Sequence, residues 1–234
     1  MRSWENIPDK MKNDSVKEYY DILKKRRSGL FLKRLFDVVA SGIMLLFLLP
    51  VFAVIAVAIK LDSKGPVFYR QVRITRYGEE FRIFKFRTMV TDADKGSKLT
   101  VANDSRITRV GGLLRKYKLD ELGQLIDVFR GKMSFVGTRP EVPKYVAVYT
   151  DEMLATLLLP AGITSEASVC YKDESALLDA SDNPEKTYIE RILPDKMKYN
   201  LAAVRDFSFF GDIKIMIKTV LAVFISDEAE AVNV

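Results

Sequence analysis

The sequence predicts a predominantly helical α+β protein, monotopic in a membrane, in which a re-entrant helix-break-helix hairpin carries a small cytoplasmic domain containing a β-hairpin. Three observations predict it. Val38 to Ile59 is an uncharged apolar run of 22 residues with Pro50 near its middle; basic residues stand on both sides of that run; and after it a strand-turn-strand pattern gives way to helical periods.

The apolar run comes first. As a helix it measures ~33 Å, enough to cross a hydrocarbon core of ~30 Å. Lys24, Lys25, Arg26, Arg27, Lys33 and Arg34 precede it, and Lys60, Lys64, Arg70, Arg73 and Arg76 follow it, with Asp62 the one acid between Lys60 and Arg76. Basic residues beside a membrane segment favour the cytoplasmic side, so both ends ask for the same side. Leu49 and Pro50 form the membrane break, because proline lacks an N–H and its ring clashes with the preceding turn. The arms on either side are roughly 18 and 14 Å long, each about half a bilayer. The charge symmetry favours re-entry; a spanning helix kinked at proline is the alternative that composition leaves open. A polar segment ending in a small-residue cleavage site is missing, so a cleaved signal peptide is not expected.

Bulk properties narrow the function. The 234 residues leave room for one modest domain beside the membrane segment. The formal charge of +6 suggests an anionic partner, either lipid headgroups or a phosphorylated substrate; with a membrane anchor, no nucleic-acid partner is expected. Cys170 is the single cysteine and there is no histidine. An intrachain disulfide, a Ser-His-Asp or Cys-His nucleophile system and a His-ligated zinc site are thereby excluded. Carboxylates, Lys, Arg and hydroxyls must carry any chemistry, and any metal should be hard and oxygen-bound.

The remaining elements follow in order. Residues 1–32 form a basic leader in which Val16, Tyr19, Tyr20 and Leu23 have helical spacing. An amphipathic helix on the membrane surface accounts for this, as does a partly disordered basic leader. The hairpin occupies residues 33–61 and the cytoplasmic domain residues 62–206. Val67 to Ile74 and Glu80 to Met89 read as strands joined by a turn at Tyr77-Gly78. Period two then puts Lys85 and Arg87 on one face, ~7 Å apart, a spacing that suits a diphosphate and equally a protective basic edge. Thr91 to Asp104 reads as a loop, Ile107 to Lys118 as a helix, and Leu119 to Phe129 as its continuation or restart with Leu119, Leu122, Ile126 and Phe129 buried. Gly131 ends it, Met133 to Pro143 is irregular, Tyr145 to Leu159 is helical, Pro160-Ala161-Gly162 is a break, and Pro184 to Val204 is helix interrupted near Pro194. Residues 207–225 are apolar but hold Asp212, Lys214 and Lys218, which fits an interfacial helix, one packed on the hairpin or a terminal core helix. Residues 226–234 form a tail.

Asp120 and Glu121 are the candidate chemistry. Arg106, Arg109, Arg115, Lys116 and Lys118 lie close upstream. Acids in a first helical turn are often there for the macrodipole alone. In this cationic setting, one carboxylate can instead face a reacting phosphorus while its neighbour holds a divalent metal. Magnesium would bridge phosphate oxygens and offset repulsion between two anions. Arg139 lies in Gly137-Thr138-Arg139-Pro140, a stiff turn that would fix a guanidinium for a phosphate, although surface arginines are common in loops. Lys85, Arg87, Arg106, Arg115 and Arg139 are therefore the candidate phosphate-binding residues. A non-catalytic adaptor that gathers anionic lipids or assembly partners is the rival class.

Several motifs occur together in one order: Lys33-Arg34-Leu35-Phe36-Asp37, Gly65-Pro66-Val67-Phe68, Phe84-Lys85-Phe86-Arg87-Thr88-Met89, Asp104-Ser105-Arg106-Ile107-Thr108, Leu114-Arg115, Leu119-Asp120-Glu121-Leu122, Gln124-Leu125 and Met133-Ser134-Phe135-Val136-Gly137. With them the chain, from about Lys33 to Lys218, resembles the bacterial sugar transferase family, the monotopic phosphoglycosyl transferases. The resemblance implies a bacterial cytoplasmic membrane location with the active site on the cytoplasmic face. It also implies transfer of a sugar phosphate from a UDP-sugar to polyprenyl (undecaprenyl) phosphate with release of UMP. Asp120 would be the nucleophile that forms a covalent phosphosugar intermediate, and Glu121 would help hold Mg²⁺. Membrane lipids and downstream glycosyltransferases are the expected partners, with the oligomeric state left open. Leu49-Pro50 stands where many members have Ser-Pro, Thr138 where the first proline of a Pro-Arg-Pro motif stands, and Lys132 where an acid is usual. Ser165-Glu166 departs from the family in the half expected to contact the sugar, so the sugar transferred stays open.

Overall fold

The computed structural model describes residues 1–90, 106–171 and 174–231, with the side chains of 175–176 and 223–231 left aside. The expected loop from Thr91 to Asp104 and the Asp104-Ser105 part of one motif lie outside the described residues. The chain is mostly helical, with short strands and one long apolar helix near its beginning.

Helix α1 (Asp14–Lys25) starts where the Asn13 side chain accepts from the Val16 amide at 2.8 Å. Its stripe of Val16, Tyr19, Tyr20 and Leu23 does not lie on a membrane. All four are buried in the largest core, with Ile7, Met11, Ile74, Tyr77, Leu154, Leu158, Val204 and Phe207. The rings suit a core because their hydroxyls find partners: Tyr19 donates to Glu152 Oε1 at 2.6 Å, and Tyr20 to the Arg2 carbonyl at 3.2 Å. The expectation of a surface-bound leader is corrected accordingly.

Helix α2 (Arg27–Asp62) runs for 36 residues with Pro50 inside it. The expected break does not divide it into two helices. A single proline removes one i→i−4 hydrogen bond, here at the Leu46 carbonyl, and the flanking apolar residues continue the helix on either side. Around Pro50 the side chains face outward, Phe47 being 75% exposed and Leu49 60%. Both ends are fastened. Near the start, Lys33 Nζ donates to the Val136 carbonyl at 2.7 Å, Asp37 accepts from Ser134 and from the Phe135 amide, and Arg34 donates to the carbonyls of Val128 and Phe129. At the finish, the Arg87 guanidinium donates to the carbonyls of Ile59, Ser63 and Lys64, and Asp62 accepts from the Val110 amide.

The hairpin consists of β1 (Phe68–Tyr69), β2 (Val72–Ile74), β3 (Glu80–Arg82) and β4 (Lys85–Phe86). One antiparallel register runs through it, Ile74 opposite Glu80 and Phe68 opposite Phe86, with a gap at Ile83-Phe84. Tyr77 (φ 62°) and Gly78 (φ 73°) turn it. Helix α3 (Arg109–Lys116) is capped by Thr108, and Lys118 then takes a left-handed conformation (φ 54°). A 3₁₀ turn over Leu119–Gly123 leads into α4 (Gln124–Phe129), so the chain restarts its helix here. The tighter turn shifts the phase: Leu125 and Val128 are buried, whereas the expected Phe129 is 47% exposed and lies against Gly42 of α2. Gly131 (φ 78°) ends α4.

Two expectations fail together. Met133–Val136 is a strand, β5, where irregular chain was expected, and it pairs in parallel with β6 (Ala161–Thr164), where a break was expected. Glycine here serves close approach. A Cβ on Gly162 would lie 2.1 Å from the Gly137 nitrogen. Gly162→Ala should therefore destabilise the protein by several kcal/mol, read as a fall in its thermal midpoint; an unchanged midpoint would contradict this packing.

Between these strands lie α5 (Pro143–Val146) and a 3₁₀ stretch over Met153–Leu158 in place of one long helix. After them come α6 (Glu166–Cys170), α7 (Glu174–Asp179), α8 (Pro184–Thr187), a π turn at Tyr188–Ile192 just before Pro194, and α9 (Leu193–Arg205). Helix α10 (Phe209–Ala231) packs on the base of α2 through the Asp212–Lys33 ion pair at 2.6 Å and on β6 through Thr219–Thr164 at 2.7 Å. Phe210, Ile217 and Leu221 face outward.

Candidate active site

The 3₁₀ turn presents Asp120 and Glu121 about 120° apart, so their carboxylates have different neighbours. Glu121 Oε1 accepts from Lys85 Nζ at 2.8 Å and from Arg139 Nη2 at 2.7 Å. Burial pushes the Glu121 carboxyl up, but the charges of Arg139 and Lys85 and their hydrogen bonds outweigh it and hold the group well below the usual carboxylate range. Glu121 in turn raises the Arg139 guanidinium above its ordinary value. The pair is thus locked as an ion pair across the working pH range.

Asp120 stands differently. Its carboxyl is raised, first by burial and then by the charge of Glu121, against the opposing charges of Lys85, Arg115 and Lys118. No side chain among the described residues hydrogen-bonds to it. A desolvated, cation-flanked carboxylate is a better nucleophile than a solvated one.

Three elements converge to make this arrangement. Strand β4 delivers Lys85. Helix α3 delivers Arg115, whose Nε donates to Thr88 Oγ1 at 2.9 Å. The loop after β5 delivers Arg139, and its stiffness comes from more than Pro140. The Gly137 amide donates to the Thr164 carbonyl and the Gly162 amide to the Thr138 carbonyl, both at 2.9 Å. Arg73 donates to the Pro140 carbonyl at 3.1 Å, and Glu141 accepts from the Tyr188 hydroxyl.

Of the predicted phosphate-binding residues, Lys85, Arg115 and Arg139 surround the carboxylates. Arg87 does not. It is buried and its guanidinium closes the end of α2, which the strand period could not reveal because residue 87 faces the helix end instead of open space. Arg106 lies beside the bridge between Met89 and Ile107, where its carbonyl accepts from the Val90 amide. Leu49 and Pro50 lie on the exposed middle of α2, away from these residues. Sequence reasoning passed over Arg73, Glu141 and Asp127. A lone acid inside the apolar run Gln124-Leu125-Ile126-Asp127-Val128-Phe129 was the available signal for the last.

The donor set also fits Mg²⁺. Both cations take Oε1 of Glu121, so Oε2 is the hard oxygen that could ligate a divalent cation. Among the described residues no cluster of three or more acidic, His or Cys side chains is found. Magnesium needs none, since it is commonly held by one or two carboxylates with substrate phosphates completing its shell.

Comparison with known proteins gives a consistent picture. The family model described as bacterial sugar transferase matches residues 28–226. The chain is 33% identical over 204 residues to the uncharacterized sugar transferase EpsL of Bacillus subtilis, covering 87% of this chain and 93% of that one. It is 32% identical over 194 residues to the UDP-N-acetylgalactosamine-undecaprenyl-phosphate N-acetylgalactosaminephosphotransferase of Aeromonas hydrophila, covering 81% of this chain. It is 35% identical over 202 residues to the UDP-glucose:undecaprenyl-phosphate glucose-1-phosphate transferase of Escherichia coli, covering 85% of this chain. The chain spans only 43% and 41% of the length of these last two relatives.

Proposed function

This chain belongs to the bacterial sugar transferase family, and on that premise we propose that it moves a sugar 1-phosphate from a UDP-sugar to undecaprenyl phosphate and releases UMP. The names of the relatives from A. hydrophila and E. coli support this reaction class. The observation that carries it is the buried, cation-flanked Asp120 carboxylate, to which no side chain among the described residues hydrogen-bonds, beside a Glu121 clamped by Lys85 and Arg139.

In this reading Asp120 attacks the phosphorus that bears the sugar. Its Oδ–P bond forms as the bond to the bridging oxygen of the diphosphate breaks, and UMP leaves with that oxygen. The oxygen of undecaprenyl phosphate then attacks the same phosphorus, the aspartyl bond breaks, and the carboxylate is regenerated. Lys85, Arg115 and Arg139 bind and orient phosphate oxygens, and they lower the repulsion between an anionic nucleophile and an anionic substrate. Glu121 would help hold Mg²⁺, which when bound supplies further neutralisation of the diphosphate.

We read α2 as re-entrant, with the active site on the cytoplasmic face of the inner membrane. What supports this is that residues near both ends of α2, Lys33 and Asp37 at one and Ile59 and Asp62 at the other, bond to the same domain. Ends on opposite sides of ~30 Å of hydrocarbon have no such option. The outward apolar side chains near Pro50 are then the part in lipid. Confining the site to the surface where the lipid phosphate lies turns the second step into an encounter in two dimensions.

The test is nucleotide release from purified protein with Mg²⁺, undecaprenyl phosphate and a panel of UDP-sugars. UMP from one donor is expected. UDP would indicate ordinary glycosyl transfer, and intact donors throughout would favour a membrane adaptor. For topology, cysteines placed at residues 25 and 64 should both resist an impermeant thiol reagent added outside sealed cells; labelling of one end alone would indicate a spanning helix.

A further inference from the structure

Asp127 is a buried carboxylate that the proposed reaction leaves without a task. It lies on α4, is 2% exposed, and accepts from the Phe84 amide through Oδ2 at 2.7 Å. That amide is available because of register. Ile83 donates to the Gln71 carbonyl at 3.0 Å and Arg87 to that of Val67 at 2.9 Å, so the odd-numbered residues form the hydrogen-bonded pairs of the hairpin. The even-numbered Phe84 points its N–H away from the partner strand.

The neighbouring carbonyl lies in close contact with the catalytic turn. A Cβ on Gly123 would lie 2.9 Å from the Phe84 oxygen, so the 3₁₀ turn and the hairpin touch backbone to backbone at this residue. Phe84 is thus held through its N–H by Asp127 and lies in close backbone contact with Gly123, both on the segment Leu119–Phe129 that carries Asp120 and Glu121. The next residue is Lys85, whose Nζ reaches Glu121. Asp127, Phe84, Lys85 and Glu121 close a circuit between α4 and the hairpin. The charged groups that face Asp127 are Arg70, in the link between β1 and β2, and Arg130, just past α4. The Arg70 guanidinium is occupied on the Phe84 ring, 3.4 Å from its centroid, and on the Arg82 carbonyl at 2.6 Å.

We propose that Asp127 is a positioning residue for Lys85, and that its charge state sets how firmly the hairpin is held against the catalytic turn. This rests on the reading of Asp120 and Glu121 as the catalytic pair. An ionised carboxylate accepts more strongly than the neutral acid. Burial pushes the Asp127 carboxyl up to about 6, against the opposing Phe84 amide and the charges of Arg70 and Arg130. The bond from the Phe84 amide therefore strengthens as the pH rises through about 6 and weakens below it, while burial makes the fold as a whole less stable with the group ionised.

The experiment measures kcat and KM for UMP release by the full chain in nanodiscs from about pH 5 to about pH 8, with Asp127→Asn, Asp127→Leu and Lys85→Met. Leucine has no acceptor, and a loss in kcat of about tenfold or more is expected, largely absent when Lys85→Met is already present. Asparagine keeps the acceptor without a proton to lose. It should restore most of that loss, and the inflection near pH 6 should vanish from its kcat profile. An inflection that persists in the asparagine variant, or additive losses for leucine and methionine, would overturn the proposal. Should the leucine variant not fold, the asparagine profile decides. If the wild type releases UMP from no donor, the functional reading fails by itself. The thermal midpoint against pH then tests the titration of Asp127 in the fold: burial raises its carboxyl, so the midpoint should fall as the pH rises through about 6 and Asp127→Asn should remove that fall, and a wild-type midpoint without it overturns the proposal.

Discussion

Asp120→Asn should abolish UMP release, with a loss of ~10³-fold or more, while leaving the protein folded and no less stable. The size follows from losing a covalent nucleophile and not merely a binding contact. The variant is isosteric, so Lys85 and Arg139 keep their grip on Glu121. Stability should rise slightly at neutral pH. The fold raises the Asp120 carboxyl, first by burial, so it favours the neutral acid. The stability this group contributes is present below its unfolded value and is lost as the pH rises through the folded one; asparagine does not carry that cost. For the same reason wild-type activity should fall on the acid side at a higher pH than an ordinary aspartate would dictate. Turnover and thermal midpoint on one preparation test both claims. Full turnover would remove Asp120 from the mechanism, and a lowered midpoint with lost activity would make it a structural residue.

Leu23→Ala should cost about 3 kcal/mol, within the ~2–5 kcal/mol usual for emptying a buried leucine site. Leu23 is fully buried among side chains drawn from α1, the hairpin turn, the 3₁₀ stretch at Met153–Leu158 and α9. These elements meet only in the tertiary fold, so the cavity cannot close by local adjustment. Phe210→Ser, on an 81% exposed position, is the contrast and should change stability by ~0.5 kcal/mol or less. Denaturant unfolding in detergent, followed by near-UV circular dichroism, reads both. An unaffected Leu23→Ala would return the α1 stripe to the membrane surface. Residues 1–27 precede the stretch matched by the family model, yet they bury Ile7, Met11, Val16, Tyr19, Tyr20 and Leu23 in its largest core.

Local pattern by itself determined a good deal of this protein. The apolar run with its two basic flanks, the turn at Tyr77-Gly78, the helix end at Gly131 and the adjacency of Asp120 and Glu121 all rest on near neighbours in the chain, and they are legible there. The periods that mark buried faces were legible too, but not what covers them: the α1 stripe meets protein where lipid would satisfy it equally well. Only the tertiary structure decided that Arg87 closes the end of α2 while Lys85, two residues earlier, reaches Glu121. It alone pairs β5 with β6 across 28 residues of chain, using Gly137 and Gly162 for close approach where glycine reads locally as a break. The physical reason is common to these cases. Apolar spacing, turn chemistry and helix ends are set by interactions within a few residues, whereas the partner of a long side chain or a strand edge is set by whatever the folded chain brings within hydrogen-bonding reach.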